Sequence, residues 1–258
     1  MDLAGKNVVI VGGCGGIGLE LSKCFLEEQI GNLALIDIKE NILGISMLSP
    51  ESPDTKIVFL KCDIRRKEEI DETFKKIIDE FKYIDVLVNA AGIVAEYDLM
   101  LSIDINFTGC LMTTLAAIDY MSKAKGGRGG LIANISSALG LVPSPLYAIY
   151  AGTKHGVLGF TRSLAGEVYH KTTGVSLIAI CPGKTDTDLI PQFNEKTTLP
   201  VDSSLMRNVE SFKGQSAAQC AESMLKAFKQ NVNGSVWLID QGELFEVKIP
   251  NYWVPEPL

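Results

Sequence analysis

The stretch Asn7-Val8-Val9-Ile10-Val11-Gly12-Gly13-Cys14-Gly15-Gly16-Ile17-Gly18 decides how this chain is read. A run of strand character passes without a break into a glycine loop, and from Ile17 to Glu28 apolar residues return at helical spacing. Strand, glycine loop and helix, in that order, form the context in which glycines serve a dinucleotide. They let the backbone approach a pyrophosphate, and the helix N-terminus behind them offers unpaired N–H groups and a partial positive charge. Two registers fit: GxGxxG at Gly13, Gly15 and Gly18, or GxxxGxG at Gly12, Gly16 and Gly18. Spacing alone does not choose between them. A lone glycine motif is also weak evidence, since methyltransferases place a glycine loop after their first strand.

Outward from this unit the same alternation continues. Further strand candidates are Leu33 to Ile36, Ile57 to Leu60, Val86 to Val88, Leu131 to Ile135, Val175 to Ile180 and Ser235 to Ile239. Helical stretches lie near Lys67 to Phe81, Leu99 to Lys123, Thr153 to Tyr169 and Ala217 to Lys229. Apolar runs of strand length alternating with longer helical segments predict an α/β chain: a single-domain Rossmann fold with a doubly wound, seven-stranded parallel sheet and helices on both faces. Gly126 to Gly130 precedes a strand and opens no helix, so it reads as a turn rather than a phosphate loop. The stretch from Asp188 to Gly214 has no clear periodicity and is a candidate substrate-covering loop. Leu244 to Leu258, with Tyr252, Trp253 and three prolines, reads as an extended tail past the last strand, a candidate for packing on a partner subunit.

With 258 residues, 47% hydrophobic and 21% charged, the chain suits one globular domain spanning 1–258. A net charge of -7 with basic residues scattered singly argues against a nucleic-acid partner, which would need a clustered basic surface. No apolar run reads as long enough to cross a bilayer and no secretory signal is visible, so the expectation is a cytoplasmic protein without a membrane partner. The six cysteines are widely separated, without a CxxC pair and with only His155 and His170 to assist them. That pattern supports neither a metal site nor a disulfide framework, and the cysteines read as small buried hydrophobes.

Three positions carry chemistry. Asp37 ends the second strand about 20 residues beyond the glycine loop, where a carboxylate accepts hydrogen bonds from an adenosine ribose. It would repel a 2′-phosphate, and no Arg or Lys in the glycine loop or immediately after Asp37 offsets that repulsion, so the cofactor expected is NAD; Lys39, the nearest cation, would soften the preference. Tyr150 and Lys154 lie four apart at the start of a helical segment and share one face. A tyrosine with a pKa of about 10 is a poor base at neutral pH, and a nearby ammonium favours its phenolate. Tyr150 would then exchange a substrate hydroxyl proton, with Lys154 also placed to reach ribose hydroxyls. Ser137, closing the fifth strand, would point over the C-terminal edge of the sheet and could polarise a carbonyl or hold an alkoxide. Tyr147 reads as a decoy, because Ala151 rather than a cation stands four residues on.

Taken together, these residues make the chain resemble the short-chain dehydrogenase/reductase family over almost its whole length. The resemblance implies the register Gly12, Gly16 and Gly18, with Ile17 between them. It implies an adenine contact at Asp63 with Ile64, and a sheet-stabilising turn beside the cofactor at Asn89-Ala90-Ala91-Gly92. The family's catalytic tetrad would map to Asn106, Ser137, Tyr150 and Lys154, with Asn106 kinking a helix and holding a water in a proton relay. Pro182-Gly183-Lys184-Thr185-Asp186-Thr187 matches the segment that holds the nicotinamide carboxamide, with Thr185 and Thr187 as contacts; Lys184 stands where relatives usually carry an apolar residue. The N-terminal stretch through Asp37 and Asn233 to Asp240 resemble insect-type alcohol dehydrogenases, whereas Ile118 to Lys123 and Lys154 to Ala165 are similar to hydroxyprostaglandin dehydrogenases. A homodimer built on the helices around Asn106 and Tyr150, or a tetramer, is implied too.

The expectation is therefore a metal-free, NAD-dependent alcohol dehydrogenase acting on an apolar secondary or allylic alcohol, terpenoid, fatty or aryl-alkyl, or on its ketone or aldehyde. Leu139, Val142, Leu146, Leu189, Ile190 and Phe193 are its candidate pocket walls. The rivals are a nucleotide-binding or storage relative without turnover, and a hydroxyprostaglandin-type dehydrogenase.

Overall fold

The structure, a computed structural model, describes residues 1–48, 54–193, 197–202, 204 and 213–250. The first strand, β1 (Asn7–Val11), is buried at every position, and successive side chains go to opposite faces of the sheet. Val8 and Ile10 join one core and Val9 and Val11 the other. A strand with apolar residues at consecutive positions thus needs cover on both faces, which is why its sequence shows a continuous run rather than an alternation.

The described strands of the main sheet are β1, β2 (Asn32–Asp37), β3 (Lys56–Lys61), β4 (Val86–Asn89), β5 (Gly130–Ile135), β6 (Val175–Pro182), β9 (Val236–Asp240) and β10 (Glu243–Glu246), in the spatial order β10-β9-β6-β5-β4-β1-β2-β3. In the β1 register Val9 lies between Ala34 and Leu87. On one face, α1 (Gly16–Glu27) packs with α9 (Ala217–Gln230), and Phe25 stacks on Phe228 at 5.8 Å. On the other, α3 (Lys67–Phe81) and α5 (Cys110–Met121) bury Phe74, Ile77, Ala117 and Met121. The remaining helices are α2 (Ile42–Ser46), α4 (Leu99–Ile103), α6 (Ala148–Leu164), α7 (Glu167–Thr173) and the short α8 (Ile190–Phe193). Two short strands, β7 (Thr185–Asp186) and β8 (Gln215–Ser216), pair beside the main sheet.

The seven parallel strands are present, but the sheet has eight, correcting the seven-stranded expectation. Glu243–Glu246, read from sequence as the start of a tail, folds back antiparallel on β9. The turn residues Gln241 (φ 51°) and Gly242 (φ 81°) both take the left-handed conformation that a two-residue hairpin requires. Tyr252 and Trp253 lie outside the described residues.

Two helix readings are also revised. The segment from Leu99 to Met121 is interrupted by a π-helical turn over Asp104–Gly109. By length and composition its 23 residues could cross a membrane, contrary to the reading that no apolar run is long enough. Here it lies along the sheet, with Thr113, Thr114, Ala117 and Met121 buried. The stretch expected as one helix from Thr153 to Tyr169 is α6 followed by α7, and α6 begins at Ala148, which brings Tyr150 into its first turn. All six cysteines are buried and unpaired, as small core residues.

Candidate active site

A groove runs along the C-terminal ends of β1, β2, β4, β5 and β6, the edge where open α/β sheets bind ligands. It consists of two cavities that share Ala90 and Gly92, one of about 250 Å³ and one of about 680 Å³.

The smaller cavity is lined by Gly12, Gly15, Asp37, Asp63 and Ile64, together with Ala91 and Gly92. Gly12 has φ +77°, and a Cβ added there would lie 2.5 Å from the Ala91 nitrogen. A Cβ at Gly18 would lie 2.3 Å from the Gly12 carbonyl oxygen, and one at Gly16 would lie 2.8 Å from Thr187 Cγ2. The glycines at 12, 16 and 18 therefore allow three backbone approaches: loop to β4 turn, loop to helix, and helix to the segment after β6. At the N-terminus of α1, Gly15 offers no side-chain cap, which leaves the first amides of the helix to a ligand anion.

Asp37 ends β2 with Oδ2 accepting the Cys14 N–H at 3.0 Å and Oδ1 accepting the Ile38 N–H at 2.8 Å. Its carboxylate is thereby tied to the glycine loop. Among the described lining residues of this cavity there is no Arg or Lys. Asp63 is engaged by Arg65, whose guanidinium approaches to 2.5 Å, and that hydrogen bond holds the Asp63 carboxyl below its ordinary pKa.

The larger cavity contains Ile17, Ser137, Tyr150, Lys154, Pro182, Gly183, Thr185 and Thr187. Ser137 follows β5; its hydroxyl accepts the Leu139 N–H at 3.1 Å and stands near enough to the Tyr150 phenol to act against the rise in its pKa. Lys154 Nζ donates to the Ile135 carbonyl at 3.0 Å and stands 5.6 Å from the centre of the Tyr150 ring. A Cβ added at Gly92 would lie 3.2 Å from Lys154 Nζ and 3.4 Å from Asn106 Oδ1, so these two groups converge on the same point beneath the groove. Asn106 sits in the π-helical turn; its Oδ1 accepts the Ile93 N–H and its Nδ2 donates to the Ile93 carbonyl, both at 2.8 Å. That reciprocal pair locks the bent helix onto the turn after β4. Thr185 accepts a hydrogen bond at Oγ1 from the buried Gln215 at 3.1 Å, a residue the sequence reading missed.

The electrostatics correct one expectation. Burial pushes the Tyr150 phenol up to about 12, opposed by the Ser137 hydrogen bond, and pushes the Lys154 ammonium down to about 8. The four-residue spacing predicts that Lys154 lowers the Tyr150 pKa. Burial raises it instead, and the contact that lowers it is the Ser137 hydroxyl.

Not every proposed site residue reaches the groove. Asn89 Nδ2 donates to Thr114 Oγ1 at 2.9 Å and to Asn134 Oδ1 at 2.8 Å, while its Oδ1 accepts from Thr113 at 2.8 Å. Its side chain is spent on a buried network that ties β4 and β5 to α5, and it lines neither cavity. Of the proposed walls, Leu139, Leu146, Leu189, Ile190 and Phe193 line the larger cavity, while Val142 is half exposed and lines neither. Pro143, Pro145 and Tyr147 are walls that the sequence reading did not identify. Tyr147 is more than a decoy: its hydroxyl donates to the Phe193 carbonyl at 2.9 Å, and Phe193 meets both Tyr147 and Tyr150 edge-on. Glu96 was also missed. It is buried, and its carboxylate accepts the Tyr150 N–H at 2.7 Å and the Ile149 N–H at 3.1 Å. These partners lie 53 and 54 residues away in sequence, so no local motif signals the contact.

The fold and the site define a dehydrogenase of the α/β dinucleotide-binding type: residues 6–198 match the short-chain dehydrogenase family, and the chain belongs to it as an oxidoreductase. Within that family it falls in the insect alcohol dehydrogenase branch. It is 38% identical to alcohol dehydrogenase 1 of Ceratitis capitata over 99% of both chains. It is 34% identical to fat body protein 2 of Drosophila melanogaster over 98% of both. Among solved structures, levodione reductase superposes with a TM-score of 0.76 at 22% identity, over 93% of this chain and 98% of that one. A 3-ketoacyl-(acyl-carrier-protein) reductase from Brucella melitensis, complexed with NADH, gives 0.75 at 21% identity over the same shares. The structural likenesses speak to the fold alone.

Proposed function

We propose that the protein is an NAD-dependent alcohol dehydrogenase that interconverts an apolar secondary or allylic alcohol and its carbonyl compound. The observation that carries this reading is the meeting of Ser137, Tyr150 and Lys154 in an apolar cavity of about 680 Å³ that continues into the glycine-loop cleft. NAD fits the residues present. The uncapped N-terminus of α1 beside Gly15 would hold the pyrophosphate, the Asp37 carboxylate would accept from a free ribose diol, and Lys154, which stands beside Gly92, would donate to ribose hydroxyls. When bound, the nicotinamide supplies the two-electron acceptor or donor for hydride transfer.

The chain's own residues supply positioning and proton handling. Tyr150, held neutral by burial, donates its phenolic proton to a carbonyl oxygen in the reductive direction. In the oxidative direction it takes the hydroxyl proton once it has been deprotonated. Ser137 hydrogen-bonds the same oxygen and the phenol, which favours charge on either. Lys154, with a pKa near 8, can gain and lose a proton close to neutral pH, and Asn106 lies within reach of the same point. Leu139, Leu146, Leu189, Ile190 and Phe193 exclude water and select an apolar substituent.

A homodimer through the α4–α5 and α6 face is part of this proposal. It is supported by exposed Tyr97, Leu99, Met100 and Leu115 on and beside those helices, and sedimentation of the purified chain tests it. The activity test follows reduced-nicotinamide absorbance with NAD or NADP and a panel of short, aromatic, terpenoid and hydroxy-fatty alcohols. Turnover with NAD is expected, strongest for bulky apolar alcohols. NADH binding without turnover on any of them would replace the reading with a non-catalytic nucleotide-binding one.

A further inference from the structure

We propose that Glu96 is a positioning residue that couples Thr198, which is tied to the cavity wall at Leu146, to the helix carrying Tyr150. The inference rests on the dehydrogenase reading only for its kinetic consequence; the coupling itself is geometric.

The N-terminus of α6 has no cap of its own. Tyr147 stands at the N-cap position and makes no side-chain cap hydrogen bond. The first three amides are satisfied instead by two residues brought from elsewhere in the chain. Ala148 N–H donates to Thr198 Oγ1 at 2.8 Å, Ile149 N–H to Glu96 Oε2 at 3.1 Å and Tyr150 N–H to Glu96 Oε1 at 2.7 Å. The Thr198 hydroxyl in turn donates to Glu96 Oε2, and the Thr198 N–H donates to the Leu146 carbonyl at 2.9 Å. One buried carboxylate, 6% exposed, therefore accepts three donors, two from the catalytic helix and one from Thr198. A negative group at this position also complements the helix dipole.

Two neighbouring contacts do not reach this point: Val94 N–H donates to Gln192 Oε1 at 2.9 Å, and the Tyr147 hydroxyl donates to the Phe193 carbonyl at 2.9 Å. Thr198 does reach it through Glu96, so displacing Thr198 removes the partner of the Ala148 amide and one of the three donors on Glu96. A carboxylate that loses a donor in a buried setting is less stable there. The placements of Thr198 and of Tyr150 thus reinforce one another.

The test compares Glu96→Gln, Thr198→Val and the conservative Thr198→Ser in the full chain. The Gln side chain keeps the size of Glu96 but turns one acceptor into a donor facing donors. The expected kinetic pattern is a split. Thr198→Val raises KM by about fivefold or more with kcat little changed, and Glu96→Gln lowers kcat by about tenfold to a hundredfold with NADH affinity retained. The double variant is no worse than Glu96→Gln alone, and Thr198→Ser restores wild-type behaviour. Hydrogen exchange at the amides of residues 148–150 gives a readout independent of turnover: both Glu96→Gln and Thr198→Val speed it up, and Thr198→Ser does not. If the wild type oxidises no alcohol, the dehydrogenase reading falls while the exchange measurement still decides the coupling. Unchanged exchange in both variants, or a KM in the double variant that exceeds that of Glu96→Gln alone by the full Thr198→Val factor, would overturn the proposal.

Discussion

Lys154 donates from Nζ to the Ile135 carbonyl at 3.0 Å while 4% of its surface is exposed, so a flexible ammonium side chain is held in one place beneath the sheet edge. The position is costly. Burial takes its pKa from 10.5 to about 8, a penalty of about 3 kcal/mol on the charged form. Between those two values the unfolded chain binds more protons than the folded one, so this contribution to stability rises with pH. Below pH 8 both states are protonated and the penalty is complete. Lys154→Met removes the buried charge but leaves the Ile135 carbonyl without its donor, which offsets about 1 kcal/mol. The variant should melt at a higher temperature than the wild type at pH 7, with the gap closing as the pH approaches 10.5. A lower melting temperature at pH 7 would mean the hydrogen bond outweighs the desolvation.

Ser137 is the contact that lowers the Tyr150 pKa against burial. Alcohol oxidation needs Tyr150 without its proton, so its rate should rise with pH throughout the range below the phenol's pKa of about 12. Carbonyl reduction uses the protonated phenol and should not show that rise. Ser137→Ala removes the lowering contact: kcat for oxidation should fall by about a hundredfold and the rising limb should move to higher pH. A variant pH profile that superimposes on the wild type would take Ser137 out of this role.

Asp37 lies across the glycine loop from Cys14 and lines a cavity whose described walls carry no basic side chain to neutralise a 2′-phosphate. The kcat/KM for NAD should exceed that for NADP by about a hundredfold or more. Asp37→Asn should narrow the ratio by about tenfold, through both weaker use of NAD and better tolerance of NADP. Equal kinetics with the two cofactors in the wild type would refute the NAD assignment.

Two glycines in one loop should answer differently to substitution. At Gly12 a Cβ would meet the Ala91 backbone at 2.5 Å in a left-handed conformation, so Gly12→Ala should cost about 2 kcal/mol or more and abolish NADH binding. At Gly15, which is extended, the nearest atom to an added Cβ is 3.5 Å away. Gly15→Ser should therefore fold normally, with stability changed by about 0.5 kcal/mol at most. Thermal melts and NADH titrations distinguish the two.

Much of the fold was legible in the sequence. The described β1 begins and ends where the apolar run predicts, β2 to β6 extend their predicted spans by one or two residues at the ends, and β9 is shifted one residue toward the C-terminus. The β10 hairpin escaped because Glu243-Leu244-Phe245-Glu246 is too short and too mixed to show a period, although the Gln241-Gly242 turn was there to be read. The early start of α6 escaped for a different reason. Ala148 and Ile149 show no local cap, since the donors and acceptors that begin this helix come from Glu96 and Thr198.

The features legible in the residues are therefore local: the periods of strands and helices, the glycine loop, the acid closing β2, and the four-residue spacing that puts Tyr150 and Lys154 on one face. Backbone geometry makes such features readable over a few residues. Assembly of the fold was needed to spend the Asn89 side chain on Thr113, Thr114 and Asn134, to turn Val142 outward and Tyr147 in, and to bring Glu96 onto the helix of Tyr150. It also decided the direction of the Tyr150 and Lys154 pKa values. These depend on which distant side chains close around a group and how much water they displace, and desolvation is a property of the assembled fold that no short stretch of sequence records.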